Sequence, residues 1–114
     1  MSNFTTVCSV DDIIGNLGVN VLVEGRQVAI FIIDDQPYAL SNFDPFSKVN
    51  ILSRGIIGDL KGELVVASPV YKQHFSLATG RCLEDASVSV PVYPVRIYEG
   101  QVQVSVADEA SAAA

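Results

Sequence analysis

Two short proline-bearing stretches, Asp44-Pro45-Phe46 and Ser68-Pro69-Val70-Tyr71, hold side chains with the polarity and spacing to frame a site. The chemistry they allow is narrow. Asp44 is an anionic ligand or hydrogen-bond acceptor. Ser68 offers a hydroxyl, Tyr71 a neutral phenol, and Phe46 nothing that a metal can bind. One carboxylate does not make a metal site, and soft metals and iron–sulfur clusters need thiolates. The other reactive residues are scattered. His74 is the only histidine and has no nucleophile or carboxylate motif beside it. Cys8 and Cys82 form no Cys-x-x-Cys pair, lie far apart, and read as buried thiols rather than a disulfide. Asp11-Asp12 and Asp34-Asp35 adjoin cap and turn signals, which explain them structurally. Glu84-Asp85 reads as a solvated acidic bend, with a role at an interface open, and Arg54 before Gly55 has either a partner or an acidic neighbour to meet. No nucleophile–base constellation, glycine-rich phosphate loop or nucleotide fingerprint is present. A nucleotide cofactor is therefore not expected to bind this chain itself.

Bulk composition excludes further classes. The 114 residues suit one domain, and a hydrophobic fraction of 49% is ample for a core without metal or disulfide. The net charge of −6, with no clustered Lys or Arg, argues against nucleic acid and against an anionic membrane surface. No run approaches the roughly 20 apolar residues of a membrane span. The first residues lack the basic flank and apolar stretch of a secretory signal, so a soluble, cytoplasmic protein is expected.

The elements that must position the two stretches are strands. Gln101, Gln103 and Ser105 alternate with Val102, Val104 and Val106, the pattern of a strand with one wet and one buried face. β-rich runs also span 19–24, 27–33, 38–41, 63–67 and 92–98. Gly25-Arg26 and Glu99-Gly100 are turn signals between them. Ser9-Val10-Asp11-Asp12 fits a capping box opening one or two helical turns, with Ile13 and Ile14 packed inward and Gly15 as the stop. Residues 43–62 read as loop with short strands. Residues 107–114 carry no large apolar side chain and are expected to be a disordered C-terminal tail. No internal repeat or linker divides the chain.

The two stretches resemble the metal-binding loops of a Rieske domain, which carry Cys-Pro-His and Cys-Pro-x-His. Both prolines are kept, while the four cluster-ligand positions hold Asp44, Phe46, Ser68 and Tyr71. Phe75-Ser76-Leu77-Ala78-Thr79-Gly80 with Arg81-Cys82-Leu83, and Tyr38-Ala39-Leu40-Ser41-Asn42 before the first loop, are similar to the family over roughly residues 3–106. Asn42-Phe43-Asp44-Pro45-Phe46, Leu52-Ser53-Arg54-Gly55, Gly62 to Pro69 and Gly80 to Asp85 resemble one ligandless branch, the small subunits of NADH-dependent assimilatory nitrite reductase.

The resemblance implies an all-β domain over residues 3–106. It has Rieske-like stacked antiparallel sheets, one short N-terminal helix and no metal cluster. It also implies a cofactor-free accessory subunit that docks on a large subunit carrying FAD, siroheme and a 4Fe-4S cluster and reducing nitrite to ammonium. This chain would then have no catalytic residue. The alternatives are an interaction module or an atypical ferredoxin serving another redox enzyme. Loss of a cluster removes a cross-link worth on the order of 10 kcal/mol. Phe46 and Tyr71 stand where two imidazoles would converge. A ring pair there would add about 0.5–1.5 kcal/mol beyond burial, and Asp44 would accept backbone amides across its turn. The rival reading exposes both rings at the tip, where Phe46, Tyr71, Lys72 and His74 would form a docking patch.

Overall fold

Period-two alternation dominates the chain, and the computed structural model, which describes residues 4–106, is built almost wholly from strands. In chain order these are β1 (Thr5–Ser9), β2 (Val19–Val23), β3 (Arg26–Ile33), β4 (Gln36–Ser41), β5 (Phe43–Asp44) and β6 (Val49–Asn50). They continue with β7 (Ile56–Leu60), β8 (Glu63–Ala67), β9 (His74–Ser76), β10 (Val95–Tyr98) and β11 (Gln101–Val104). Every pairing is antiparallel. The strands form three sheets, β1-β11-β10, β2-β3-β4 and β7-β8-β9, with a small ribbon, β5-β6.

The sheet β2-β3-β4 lies in the middle, and β3 explains why. Val28, Ala29, Ile30 and Phe31 are all fully buried, so the strand has no wet face. Ala29, Phe31 and Ile33 share one core with Val66 of β8 and Phe75 of β9. Val28 and Ile30 share a second core with Val102 and Val104 of β11. A sheet buried on both faces reads as a continuous apolar run, and two cores on one strand make the domain a three-layer stack.

Tight hairpins join the strands. Glu24-Gly25, Asp34-Asp35, Lys61-Gly62 and Glu99-Gly100 all have positive φ, which suits primed two-residue turns. Gly80 has φ +78, and a Cβ there would overlap the carbonyl of Val90, so only glycine fits.

Four details depart from the sequence reading. The expected helix is a single 3-10 turn, Val10–Asp12, although its capping box is formed. Ile13 packs on the second core, but Ile14 is exposed, because one turn cannot face two successive residues inward. The strand expected from residue 92 begins at Val95, since Pro91 and Pro94 lack ladder donors and Val92 makes only an isolated bridge to Leu40. Ser105, expected on the wet face, is buried beyond the end of β11, where its amide donates to the carbonyl of Pro94 at 3.0 Å. The tail expected over residues 107–114 lies outside the described residues, as does the domain start at residue 3. Among the described residues no helix is long and apolar enough to cross a membrane.

Candidate functional site

The two proline loops are built on one plan. Asp44 ends β5 and Ser68 follows β8; each is followed by proline and, four residues on, by a lysine: Asp44-Pro45-x-x-Lys48 and Ser68-Pro69-x-x-Lys72. Oδ1 of Asp44 accepts the amides of Phe46 at 2.8 Å and Ser47 at 3.4 Å, and Oγ of Ser68 accepts the amide of Val70 at 3.4 Å. Both are side-chain turns that replace a backbone turn. Backbone bonds close the loops, from Lys48 N to Asp44 O at 2.7 Å and from Ser68 N to Gln73 O at 2.9 Å. Both lysines adopt left-handed backbone, with φ 63 at Lys48 and φ 64 at Lys72.

Neighbouring elements hold the first loop in place. Asn42 is buried and acts as a hub. Its Oδ1 accepts Ser53 N at 2.6 Å, and its carbonyl accepts the amides of Ile51 at 2.7 Å and Leu52 at 3.0 Å. The second 3-10 turn, Leu52–Arg54, is thereby tied to the strand that leads into Asp44. Gly55 then passes so close to β8 that a Cβ would stand 2.5 Å from the carbonyl of Ala67. Arg54 is exposed.

The loops meet through their first residues. Oγ of Ser68 donates to Oδ2 of Asp44 at 2.5 Å, and both residues are buried, at 1% and 0% exposure. Burial pushes the Asp44 carboxyl up, but the Ser68 hydroxyl and the amides of Phe46 and Ser47 outweigh it and hold it below the usual aspartate range. A hydrogen bond to a charged group contributes about 1.5–3 kcal/mol. It replaces part of what ligation would supply. Asp44 thus does accept amides across its turn, as expected.

The expected contact between Phe46 and Tyr71 is not formed. Phe46 is half-buried against the first core, and its ring lies 6.1 Å from that of Phe75 at 48°. Tyr71 is 61% exposed. The physical reason is that the Asp44 turn directs Phe46 toward β9, where an apolar seat exists, while Tyr71 keeps its hydroxyl in water at the crest of its loop. Each ring therefore follows one of the two readings.

Lys72 is exposed beside Tyr71. His74 has left the loop for β9, where Nδ1 lies 2.6 Å from Oε2 of Glu84 and its amide donates to Oε1 at 2.8 Å. Burial raises the Glu84 carboxyl, but the bonds from His74 outweigh it and lower it below its usual range. Glu84 stands in an exposed bend, as read from the sequence, and there also serves as a clasp to β9. Asp85 is capped by the hydroxyl of Ser87 at 2.6 Å and its amide at 3.1 Å, which lower its carboxyl. Both cysteines are free. Cys82 sits in the first core, and burial pushes its thiol up, the opposite of an activated thiolate.

These donors do not fit an iron–sulfur cluster. Ser68 gives its proton to Asp44, Asp44 is engaged by three donors, Phe46 has no donor atom, and the cysteines lie elsewhere. Among the described residues no three of His, Cys, Asp and Glu are grouped to hold a metal. What the region does present is surface. Beside it, a cleft of about 430 Å³ is lined by Leu60, Lys61, Glu63, Leu83 and Glu84. The sequence reading did not single out this cleft. A signal for it exists in Ile56-Ile57-Gly58-Asp59-Leu60, whose alternation leaves neither face of β7 polar throughout.

Residues 3–105 match the family of Rieske-like [2Fe-2S] domains. The chain is 47% identical over 106 residues to the NADH nitrite reductase small subunit of Salmonella typhimurium, covering 91% of this chain and 98% of that protein. A crystal structure of an NADH-dependent nitrite reductase small subunit from Mycobacterium tuberculosis superposes with a TM-score of 0.88 at 48% identity, over 92% of this chain and 96% of the other. The nitrite reductase [NAD(P)H] large subunit of Klebsiella oxytoca contains a segment 41% identical over 98 residues, covering 86% of this chain and 10% of that protein.

Proposed function

Since the chain belongs to the Rieske-like [2Fe-2S] domain family and, within it, to the small subunits of NADH nitrite reductase, we propose that it works as a cofactor-free accessory subunit in the reduction of nitrite to ammonium. It docks on a large subunit that carries FAD, a 4Fe-4S cluster and siroheme, in the cytoplasm where NADH is supplied. Electrons would not pass through a centre on this chain. Its task is to fix the large subunit in a competent arrangement and to keep water from the path between that subunit's own centres.

The observation that carries this reading is the Asp44–Ser68 bond, buried where the resemblance would place two thiolates. It seals the position with protein groups. The loops stay joined and present Tyr71 and Lys72, with the outer edge of Phe46, to a partner. His74, held by Glu84, borders that patch. The Klebsiella oxytoca protein adds support, because a segment 41% identical to this chain stands within a single large-subunit polypeptide there.

The test is reconstitution. Large subunit purified alone should reduce nitrite with NADH poorly, and equimolar addition of this chain should restore the rate. Full activity of the large subunit without it would overturn the proposal.

A further inference from the structure

The strand registers assign every side chain of the β7-β8-β9 sheet to one of two faces, because successive residues alternate. Ile57 pairs with Val66 and Val66 with Phe75, and these three face the first core. Ile56, Ala67 and His74 form a cross-strand row on the opposite, outer face, with Leu60 and Glu63 further along it; between them lie Gly58, Val65 and Ser76, of which Val65 and Ser76 are fully buried, so the exposed apolar side chains stand toward the two ends of the face. Cys82 bridges to Phe75 and turns inward, so the next residue, Leu83, faces outward beside His74, whose carbonyl accepts its amide at 2.8 Å. Ile56 is 74% exposed, and Leu60 and Leu83 are exposed too. Leu60 and Leu83 flank the 430 Å³ cleft, which Glu63, Glu84 and Lys61 complete, giving an apolar floor with a net acidic rim.

We infer that this outer face of β7-β8-β9 is the seat of the large nitrite reductase subunit, which meets it with an apolar patch edged by basic side chains. The inference rests on the accessory-subunit reading and adds the surface. Two observations select the occupant. The Klebsiella oxytoca large subunit contains a segment 41% identical to this chain, which makes large-subunit protein the covalent neighbour of a module of this kind. One end of this face also adjoins the tip, since Ile56 pairs with Ala67, the residue before Ser68 and the Tyr71 loop. A partner seated on the tip would extend onto this face. The opposite outer sheet is finished differently, with Thr6, Gln103 and Arg96 bonded to one another.

The experiment measures affinity for the large subunit of the same organism, purified anaerobically, by interferometry. Wild type is compared with an Ile56→Asp/Leu83→Asp double variant and with Leu22→Asp, a control at an exposed position on β2. The expected result is unchanged affinity for Leu22→Asp and a loss of at least about 100-fold for the double variant. Hydrogen exchange on the wild-type complex gives a second reading that needs no variant. Protection is expected over residues 56–65, 70–74 and 81–84, with none over β1, β10 and β11. If wild type does not bind at all, the accessory-subunit reading fails and this inference with it. If wild type binds but the double variant binds equally well, or exchange protects β10 and β11 instead, only the assigned face is overturned. Self-association of the chain that Ile56→Asp/Leu83→Asp disperses would assign the face to a second copy and overturn the inference as well.

Discussion

On the outer face of β1-β11-β10, Thr6, Gln103 and Arg96 stand in one cross-strand row and satisfy each other. Arg96 Nε donates to Gln103 at 2.7 Å, Gln103 donates to Thr6 at 3.1 Å, and the guanidinium lies 4.2 Å from the ring centre of Phe4 and 5.7 Å from that of Tyr98. On the outer face of β7-β8-β9 the equivalent row is Ile56, Ala67 and His74, and its isoleucine stands in water. Both sheets cover the same central sheet from opposite sides. One carries a polar row bonded to itself, with Tyr98 exposed beside it, and the other carries an uncovered isoleucine in the equivalent row, at about 25 cal/mol per Å². The same distinction runs through the tip, where Asp44 and Ser68 are buried and bonded to each other while Tyr71 stands 61% exposed. Self-satisfied groups should hold the fold; unsatisfied ones should hold a partner.

Substitutions can break that division. Asp44→Ala strands the Ser68 hydroxyl and two amides in a buried place, and should cost about 2–4 kcal/mol in denaturant unfolding. Ser68→Ala removes one donor from a buried carboxylate and should cost about 1–3 kcal/mol. Gln103→Ala cuts the polar row on an exposed face and should cost about 0.5–1 kcal/mol, with affinity for the large subunit unchanged. Tyr71→Ala should change stability by less than about 0.5 kcal/mol while weakening binding. A Tyr71→Ala variant that melts like Asp44→Ala would dissolve the comparison.

Acid sharpens it further. The Asp44 carboxyl is held below its unfolded value, so its contribution is fully present above the ordinary aspartate pKa of about 3.9 and is lost as pH falls through the lower native value. Glu84 and Asp85 are shifted in the same direction and add to the acid loss. Asp44→Asn should therefore lower stability at neutral pH and show a smaller further loss between about pH 5 and pH 2 than wild type. Parallel acid curves for the two proteins would remove Asp44 from this role.

Much of the fold was legible because it follows from local rules. The doubly buried run of β3, the alternation of Val102 and Val104, and the capping box at Ser9 all appear where the residues place them. In the loops the residue types made one contact legible, the turn in which Asp44 accepts the amides of Phe46 and Ser47. The loops' shared Asp/Ser-Pro-x-x-Lys plan was present in the sequence and was missed. What stayed hidden depends on which distant segment lies opposite. Phe46 chose Phe75 over Tyr71 because the core offers more apolar contact than the crest of a loop. Glu84 became a clasp because the chain turns back on β9, and the exposed row led by Ile56 emerges only once the register of β7 on β8 is fixed.

The most direct test is iron and acid-labile sulfide in the anaerobically purified chain, read with its visible spectrum. The expected sample is colourless, with iron and sulfide far below one per chain. About two irons and two sulfides per chain, with a Rieske-type absorption spectrum, would contradict a tip sealed by Asp44 and Ser68.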